Sequence, residues 1–266
     1  MQIRLLRQRK RLKISLVMIK GGNCMEYIAR MVKNGNIKIG QTMWSWNKLA
    51  GNGVIAGCKG TCGEHCTGCY NVENPRKSPC YVFKSYNLYG WDKSSVVAGH
   101  VRNTNIMRND IDHAFNDIRL QLKRGKKKPS AVRIHASGEL ESAQELRKWI
   151  ETAKMFPEIP FYVYTKAYEI LDEVLTEINT DWIPENFFIN ISVWHENGIF
   201  TYYKWRHLDC IRAFVYDDGY DYSDKIKIDC YCPAYDKNGK LSHELTCDNC
   251  GICFQKKAKV CGCYSH

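Results

Sequence analysis

Phe187-Phe188-Ile189-Asn190-Ile191-Ser192-Val193 is a nearly continuous apolar run of strand-forming residues, the pattern of a parallel strand covered on both faces. Two shorter runs precede it, Ala131-Val132-Arg133-Ile134-His135-Ala136 and Phe161-Tyr162-Val163-Tyr164-Thr165. Helical spacing fills the gaps between them. Glu141 to Phe156 places Ala143, Leu146, Trp149, Ile150 and Ala153 on one face. Tyr168 to Ile178 does the same with Ile170, Leu171, Val174, Leu175 and Ile178. A strand–helix–strand alternation implies a parallel sheet joined by crossover helices.

Working outward, Asn105 to Lys123 reads as one helix with Ile111, Ala114, Phe115, Ile118 and Leu122 on its apolar face, ended by Gly125 and Pro129. Val54-Ile55-Ala56 reads as a strand, and Tyr27 to Lys33 as a short helix broken at Asn34-Gly35-Asn36. Residues 70–100, rich in Tyr, Asn, Pro, Ser and Gly, read as a long irregular excursion. Downstream, Ile211 to Tyr216 and Ile226 to Ile228 supply two more strands. About six βα units can be drawn, which favours an α/β fold of the partial (β/α) barrel kind with its site at the C-terminal strand ends. The expected division is a basic arm over 1–23, the barrel over 24–229 and a cysteine-rich metal-binding tail over 230–266. That tail holds too little apolar content to fold alone, so metal or docking must hold it.

Fourteen cysteines in 266 residues is unusual, but the chain is long for a disulfide scaffold and the cysteines are clustered. Cys58, Cys62, Cys66 and Cys69 form one patch; Cys230, Cys232, Cys247, Cys250, Cys253 and Cys261 form another, with Cys263 close behind. Gaps of two or three residues suit metal ligation better than bridges, so a reducing cytoplasm is expected. Ile14 to Ile19 is too short for a secretory signal or a membrane span. The net charge of +11 is concentrated in seven basic residues over 1–20 and five over 121–128. The remainder is close to neutral. A basic arm can engage nucleic acid phosphates, although a solvated tail is the commoner role.

The chemistry lies in the cysteines. Cys62-x3-Cys66-x2-Cys69 lets one loop offer three thiolates to one centre, and such gaps suit iron–sulfur better than the paired C-x2-C knuckles of zinc. Cys58, four residues upstream, is an available fourth ligand. Late in the chain, Cys247-x2-Cys250-x2-Cys253 with Cys232-Pro233 makes a second ligand set of ferredoxin type, for which zinc is a nearly equal alternative. Other polar candidates at strand ends are His135, Lys166 and His195. The stretch Phe200 to Arg206 can stack on bases, but packing against the barrel is the better default.

On the C-x3-C-x2-C loop after a strand, the chain resembles the radical S-adenosylmethionine superfamily. That resemblance implies a [4Fe–4S] cluster on Cys62, Cys66 and Cys69, with one iron left open to chelate S-adenosylmethionine, and a reductant such as flavodoxin or ferredoxin. It also implies that Ser137-Gly138-Glu139 matches the superfamily's Gly-Gly-Glu-type element, whose carboxylate receives the cofactor's ammonium. The chain departs from the superfamily at Gly68, where an aromatic residue usually precedes the last cysteine. The cysteine regions also resemble the phage "gene product 88" group. The expected function is therefore reductive cleavage of S-adenosylmethionine to a 5′-deoxyadenosyl radical acting on an unidentified substrate, with nucleic acid or nucleotide one option. The alternative is a nucleic-acid-binding protein whose iron–sulfur or zinc centres are structural.

Overall fold

Phe161–Thr165 and Phe187–Val193 become neighbouring parallel strands, paired in register from Phe161 with Phe187 to Thr165 with Ile191. The computed structural model describes residues 28–33, 39–63, 80–88, 90, 94–177, 182–193, 196–217, 225–236, 240, 245–255 and 258–264. In chain order the elements are β1 (Trp44–Trp46), β2 (Val54–Ile55), β3 (Cys58–Lys59), α1 (Tyr81–Leu88), α2 (Ser95–Asn109), α3 (Ile111–Arg124) and β4 (Val132–Ile134). They continue with α4 (Ala143–Met155), β5 (Phe161–Thr165), α5 (Tyr168–Glu177), β6 (Phe187–Val193), α6 (Glu196–Trp205) and β7 (Ile211–Asp217). The chain closes with β8 (Cys230–Tyr231), α7 (Cys247–Cys250), a 3₁₀ turn (Ile252–Phe254) and β9 (Val260–Tyr264).

Seven strands form one sheet in the order β1-β4-β5-β6-β7-β9-β8, and every pairing in it is parallel. From β1 to β7 each new strand is added at the same edge. Right-handed crossovers that always advance in one direction put their helices on one face. One core confirms it: Phe115 and Leu122 of α3, Trp149 of α4, Val174 of α5 and Trp205 of α6 share a cluster with Val132, Val163, Ile189 and Ala213 of the sheet. The sheet is open, with β1 and β8 as its edges, and not a closed barrel.

The alternate strand residues face the other way, toward the inner face. Ser45, Arg133, Tyr162 and Phe188 lie in one register row, and Tyr164, Asn190 and Arg212 in the next but one. This face is aromatic and cationic: Arg133 lies over Tyr164 at 5.0 Å and Arg212 over Phe188 at 4.5 Å. It is covered by the cysteine-rich segment. Phe254 packs on Tyr162 with ring centroids 5.1 Å apart, and Asn190 Nδ2 donates to the Cys253 carbonyl at 3.1 Å. Asp248 of α7 ties the segment to the start of the sheet by accepting from Thr42 N at 3.1 Å. Gly40, at φ 100°, leaves room for it, since a Cβ there would stand 2.1 Å from the Asp248 carboxylate.

Several expectations change. Val54–Ile55 is a strand, but of a separate hairpin with Cys58–Lys59. Ala56 and Gly57, both at positive φ, make its two-residue turn. The sheet strand before the cysteine loop is β1, only three residues long and too short to show a period. The single helix expected over 105–123 lies in two, because Asp110 is extended and caps α3 by accepting from His113 N at 2.9 Å. The irregular stretch contains α1 and the start of α2. Residues 28–33 hold no helix; Val32 instead bridges Ser45. Ile226 to Ile228 is not a strand, and β8 and β9 of the cysteine-rich segment extend the main sheet instead.

Candidate functional site

At the C-terminal ends of β1 and β4 the chain folds back on itself tightly. Leu49 and Gly51 accept from Thr61 N and Cys62 N, each at 2.9 Å, and Gly51 N donates to Cys62 Sγ at 3.1 Å. Gly60 is where the backbones cross: a Cβ there would lie 2.2 Å from the Gly51 carbonyl oxygen. The loop that begins with Cys62 is thus pinned directly to the exit from β1.

The Ser137-Gly138-Glu139 turn after β4 meets it. Lys48 N donates to the Ser137 carbonyl at 2.9 Å, and Glu139 N donates to Thr61 Oγ1 at 2.9 Å. Gly138 sits at φ 90°, and a Cβ on it would lie 2.8 Å from Thr61 Oγ1, so both the conformation and the space require glycine. The buried Glu139 carboxylate accepts from Thr165 Oγ1 at 2.8 Å and Leu140 N at 2.8 Å through Oε1, and from Lys166 N at 2.9 Å through Oε2. Oε2 keeps capacity for a further donor.

Cys62 is buried beside Glu139, Cys80 and Lys166. Burial first, then the charge of Glu139 and the neighbouring Cys80, pushes its thiol up to about 12, against the opposing Gly51 N–H and Lys166. Burial in turn pulls the Lys166 ammonium down, opposed by Glu139, Cys80 and Cys62. A thiol in such a place ionises readily only against a cation, which is what a metal supplies. Cys80, which precedes α1, packs against the cluster that holds Cys62, Phe83 and Tyr86. No spacing pattern marks Cys80, because ten residues separate it from Cys69. Cys58 points elsewhere. Its Sγ lies 3.4 Å from Asn105 Oδ1 and 3.8 Å from Arg108 Nη1, and burial raises its thiol, with Arg108 opposing.

Beneath the turn lies a buried ion network. Lys48 Nζ, fully buried, donates to Glu145 Oε2 at 2.7 Å and Glu141 Oε2 at 3.1 Å, while Arg108 Nε holds Glu141 Oε1 at 2.9 Å. His135, at φ 55°, turns its ring toward the helices, where Nε2 meets Glu145 Oε1 at 2.8 Å. Burial alone would raise the Glu145 carboxyl, but Lys48 and His135 outweigh it and hold it down at about 2. His135 therefore braces the turn from behind, whereas Lys166 stands at the front beside Cys62. A second brace runs from the Lys48 carbonyl to Ser137 Oγ at 2.9 Å, on to Tyr86 OH at 2.9 Å and to His100 Nδ1 at 2.7 Å. Burial lowers His100 to about 4, which keeps its ring neutral beside the Tyr86 hydroxyl.

The second group of thiols is on the inner face. Parallel pairing sets Cys230 of β8 directly opposite Cys261 of β9. The thiols of Cys230, Cys232 and Cys253 all neighbour that of Cys261. Cys250 borders Cys253, Cys232 and Cys230. Cys247 lies by Arg133, Tyr162 and Tyr164. The expected set of Cys232, Cys247, Cys250 and Cys253 thus sits in a larger thiol group that includes Cys230 and Cys261. Among the described residues no three Cys, His, Asp or Glu side chains already converge as a metal site. Cys66, Cys69, His195 and the basic arm over 1–23 lie outside the described residues.

Lys123, Arg124 and Lys126 to Lys128 are exposed where α3 ends, and Lys123 and Arg124 complement the helix dipole there. The stretch from Phe200 to Arg206 lies largely in α6, with Tyr202 and Trp205 packed on the core and Phe200 exposed. Among the described residues no helix is long and apolar enough to cross a membrane.

A family model described as Gene product 88 matches residues 25–256, and the chain belongs to that family. No curated protein and no solved structure matches it.

Proposed function

We propose that this member of the Gene product 88 family is an iron–sulfur enzyme of the radical S-adenosylmethionine type. The observation that carries it is the hydrogen bond from Glu139 N to Thr61 Oγ1. It joins the loop that opens with Cys62, after the first strand of a parallel sheet, to the glycine–glutamate turn after the second strand, at the strand ends where such sheets bind ligands. A sheet whose strands are added at one edge, with its helices on one face, is in keeping with a partial barrel of that superfamily.

The donor set fits the cofactors. Cys62, Cys66 and Cys69 would hold a [4Fe–4S] cluster, and Glu139 Oε2 retains an acceptor position for the ammonium of S-adenosylmethionine. When bound and reduced, that pair supplies a 5′-deoxyadenosyl radical that abstracts hydrogen. The chain's own part is positional. Thr165, Leu140 and Lys166 fix the Glu139 carboxylate through the three hydrogen bonds above, so it meets a cation without reorganising. The two braces hold the turn against the cysteine loop, and Lys166 offsets negative charge beside Cys62. A flavodoxin or ferredoxin would supply the electron, and the basic segments leave a nucleic acid or nucleotide substrate open to test.

One observation favours a second function. Cys80 beside Cys62 offers a fourth thiol, and a cluster closed by it would be structural, in a protein that binds nucleic acid without radical chemistry. Electron paramagnetic resonance of the anaerobically reconstituted, reduced protein separates the two. An open iron gives a cluster signal that shifts when S-adenosylmethionine is added; an unchanged signal with a full iron complement rules out the radical enzyme.

A further inference from the structure

We propose that Cys230, Cys232, Cys253 and Cys261 form a thiolate site for a single tetrahedral metal ion, of the kind that takes zinc, on the inner face of the sheet. Three features carry it. The first is register: Cys230 and Cys261 are direct partners on adjacent parallel strands, so their side chains leave the same face side by side. Cys232 is held next to them by its N–H, which donates to the Gly262 carbonyl at 2.7 Å. Cys253 is held above them by Asn190 Nδ2, which donates to its carbonyl at 3.1 Å.

The second feature is scale. A tetrahedral ion with metal–sulfur bonds of about 2.3 Å sets its sulfurs roughly 3.8 Å apart. Directly paired residues on adjacent strands about 4.8 Å apart can bring their sulfurs to that separation, and Cys230 and Cys261 are such a pair. A cubane places each cysteine on a different iron and needs wider spacing. The four sulfurs do not converge on one point, so binding requires these side chains to rotate toward one another.

The third feature is charge. Four thiols that bind a divalent ion release four protons and leave a centre of net charge −2. Arg133 and Arg212 stand on this face, and among the described residues neither has a carboxylate at ion-pair distance. The Nε atoms of both are buried without a hydrogen-bond partner. Each neighbours the thiol of Cys253. Arg212 donates through its Nη atoms to the Asp209, Cys210 and Gln255 carbonyls. Yet two enclosed guanidinium groups with no carboxylate at ion-pair distance favour an anion beside them, and a tetrathiolate centre is one.

The test uses the full chain carrying Cys62→Ser, Cys66→Ser and Cys69→Ser, so that its outcome is independent of the N-terminal cluster. Cobalt(II) titrated anaerobically is expected to bind at one equivalent, with the intense charge-transfer and visible bands of tetrahedral thiolate ligation, and zinc is expected to displace it. Adding Cys230→Ser or Cys261→Ser should weaken cobalt binding at least tenfold. In the chain without those two further changes, zinc should protect Cys230, Cys232, Cys253 and Cys261 from alkylation, mapped by peptide mass spectrometry. Several irons with matching sulfide in this chain, a cobalt spectrum lacking tetrahedral thiolate bands, or Cys230 and Cys261 alkylated equally with and without zinc would each overturn the site.

Discussion

His100 ties the acid stability of this protein to the brace behind the Ser137-Gly138-Glu139 turn. Burial lowers it to about 4, whereas an exposed histidine titrates near 6.5. A histidine whose folded pKa is depressed stabilises the fold above the unfolded value, and that stability is lost as pH falls from about 6.5 toward 4. Linkage with those two values gives a loss of about 2 kcal/mol between pH 7 and pH 5. Protonation also sets a buried positive charge 2.7 Å from the Tyr86 hydroxyl, so the brace should loosen over the same range. His100→Gln keeps a donor and an acceptor of similar reach but does not titrate. Urea unfolding of both proteins at pH 7 and pH 5 isolates the effect, since every other titrating group is common to them. The variant should lose about 2 kcal/mol less than the parent over that interval. Equal losses in the two would refute the assignment of a buried, neutral His100.

Three further substitutions probe the same region. Lys48→Met leaves the Glu145 carboxylate without its 2.7 Å partner, and should cost about 3–5 kcal/mol in chemical unfolding. Gly138→Ala forces a side chain to φ 90° and to 2.8 Å from Thr61 Oγ1; a loss of about 2–3 kcal/mol is expected, with reduced S-adenosylmethionine binding by calorimetry. Cys58→Ala should leave iron and sulfide content unchanged after reconstitution, because its thiol faces Asn105 and Arg108.

The middle of the sheet was legible because β5 and β6 are long enough to show their character, and their bounds follow from the sequence directly. β1 was not, since Trp44–Trp46 is too short for any period and is held in place by pairing with Val132 to Ile134, which lie almost ninety residues away. The cysteine tail read as a separate piece because its apolar residues are few. Its strands are stabilised by the sheet edge they extend, a non-local gain that composition does not carry. In the site, Cys62 and Ser137 to Glu139 were found by motif. Their mutual contact through Thr61 depends on a close backbone crossing at Gly60, which no local pattern encodes. His135 was placed by its position at a strand end, but a positive φ sends its ring to Glu145. Cys80 belongs to no spacing pattern, so only three-dimensional proximity identifies it; Cys261 reads as part of the second cysteine patch, but its pairing with Cys230 depends on strand register.

The central claim is that the loop opening with Cys62 holds a cluster with an iron open to S-adenosylmethionine, seated by Glu139. The most direct measurement is the yield of 5′-deoxyadenosine from the anaerobically reconstituted protein, given excess reductant and S-adenosylmethionine, beside the Glu139→Gln variant. The account predicts 5′-deoxyadenosine from the parent and a yield at least tenfold lower from the variant at equal iron and sulfide content. A fully loaded parent that forms none would contradict it.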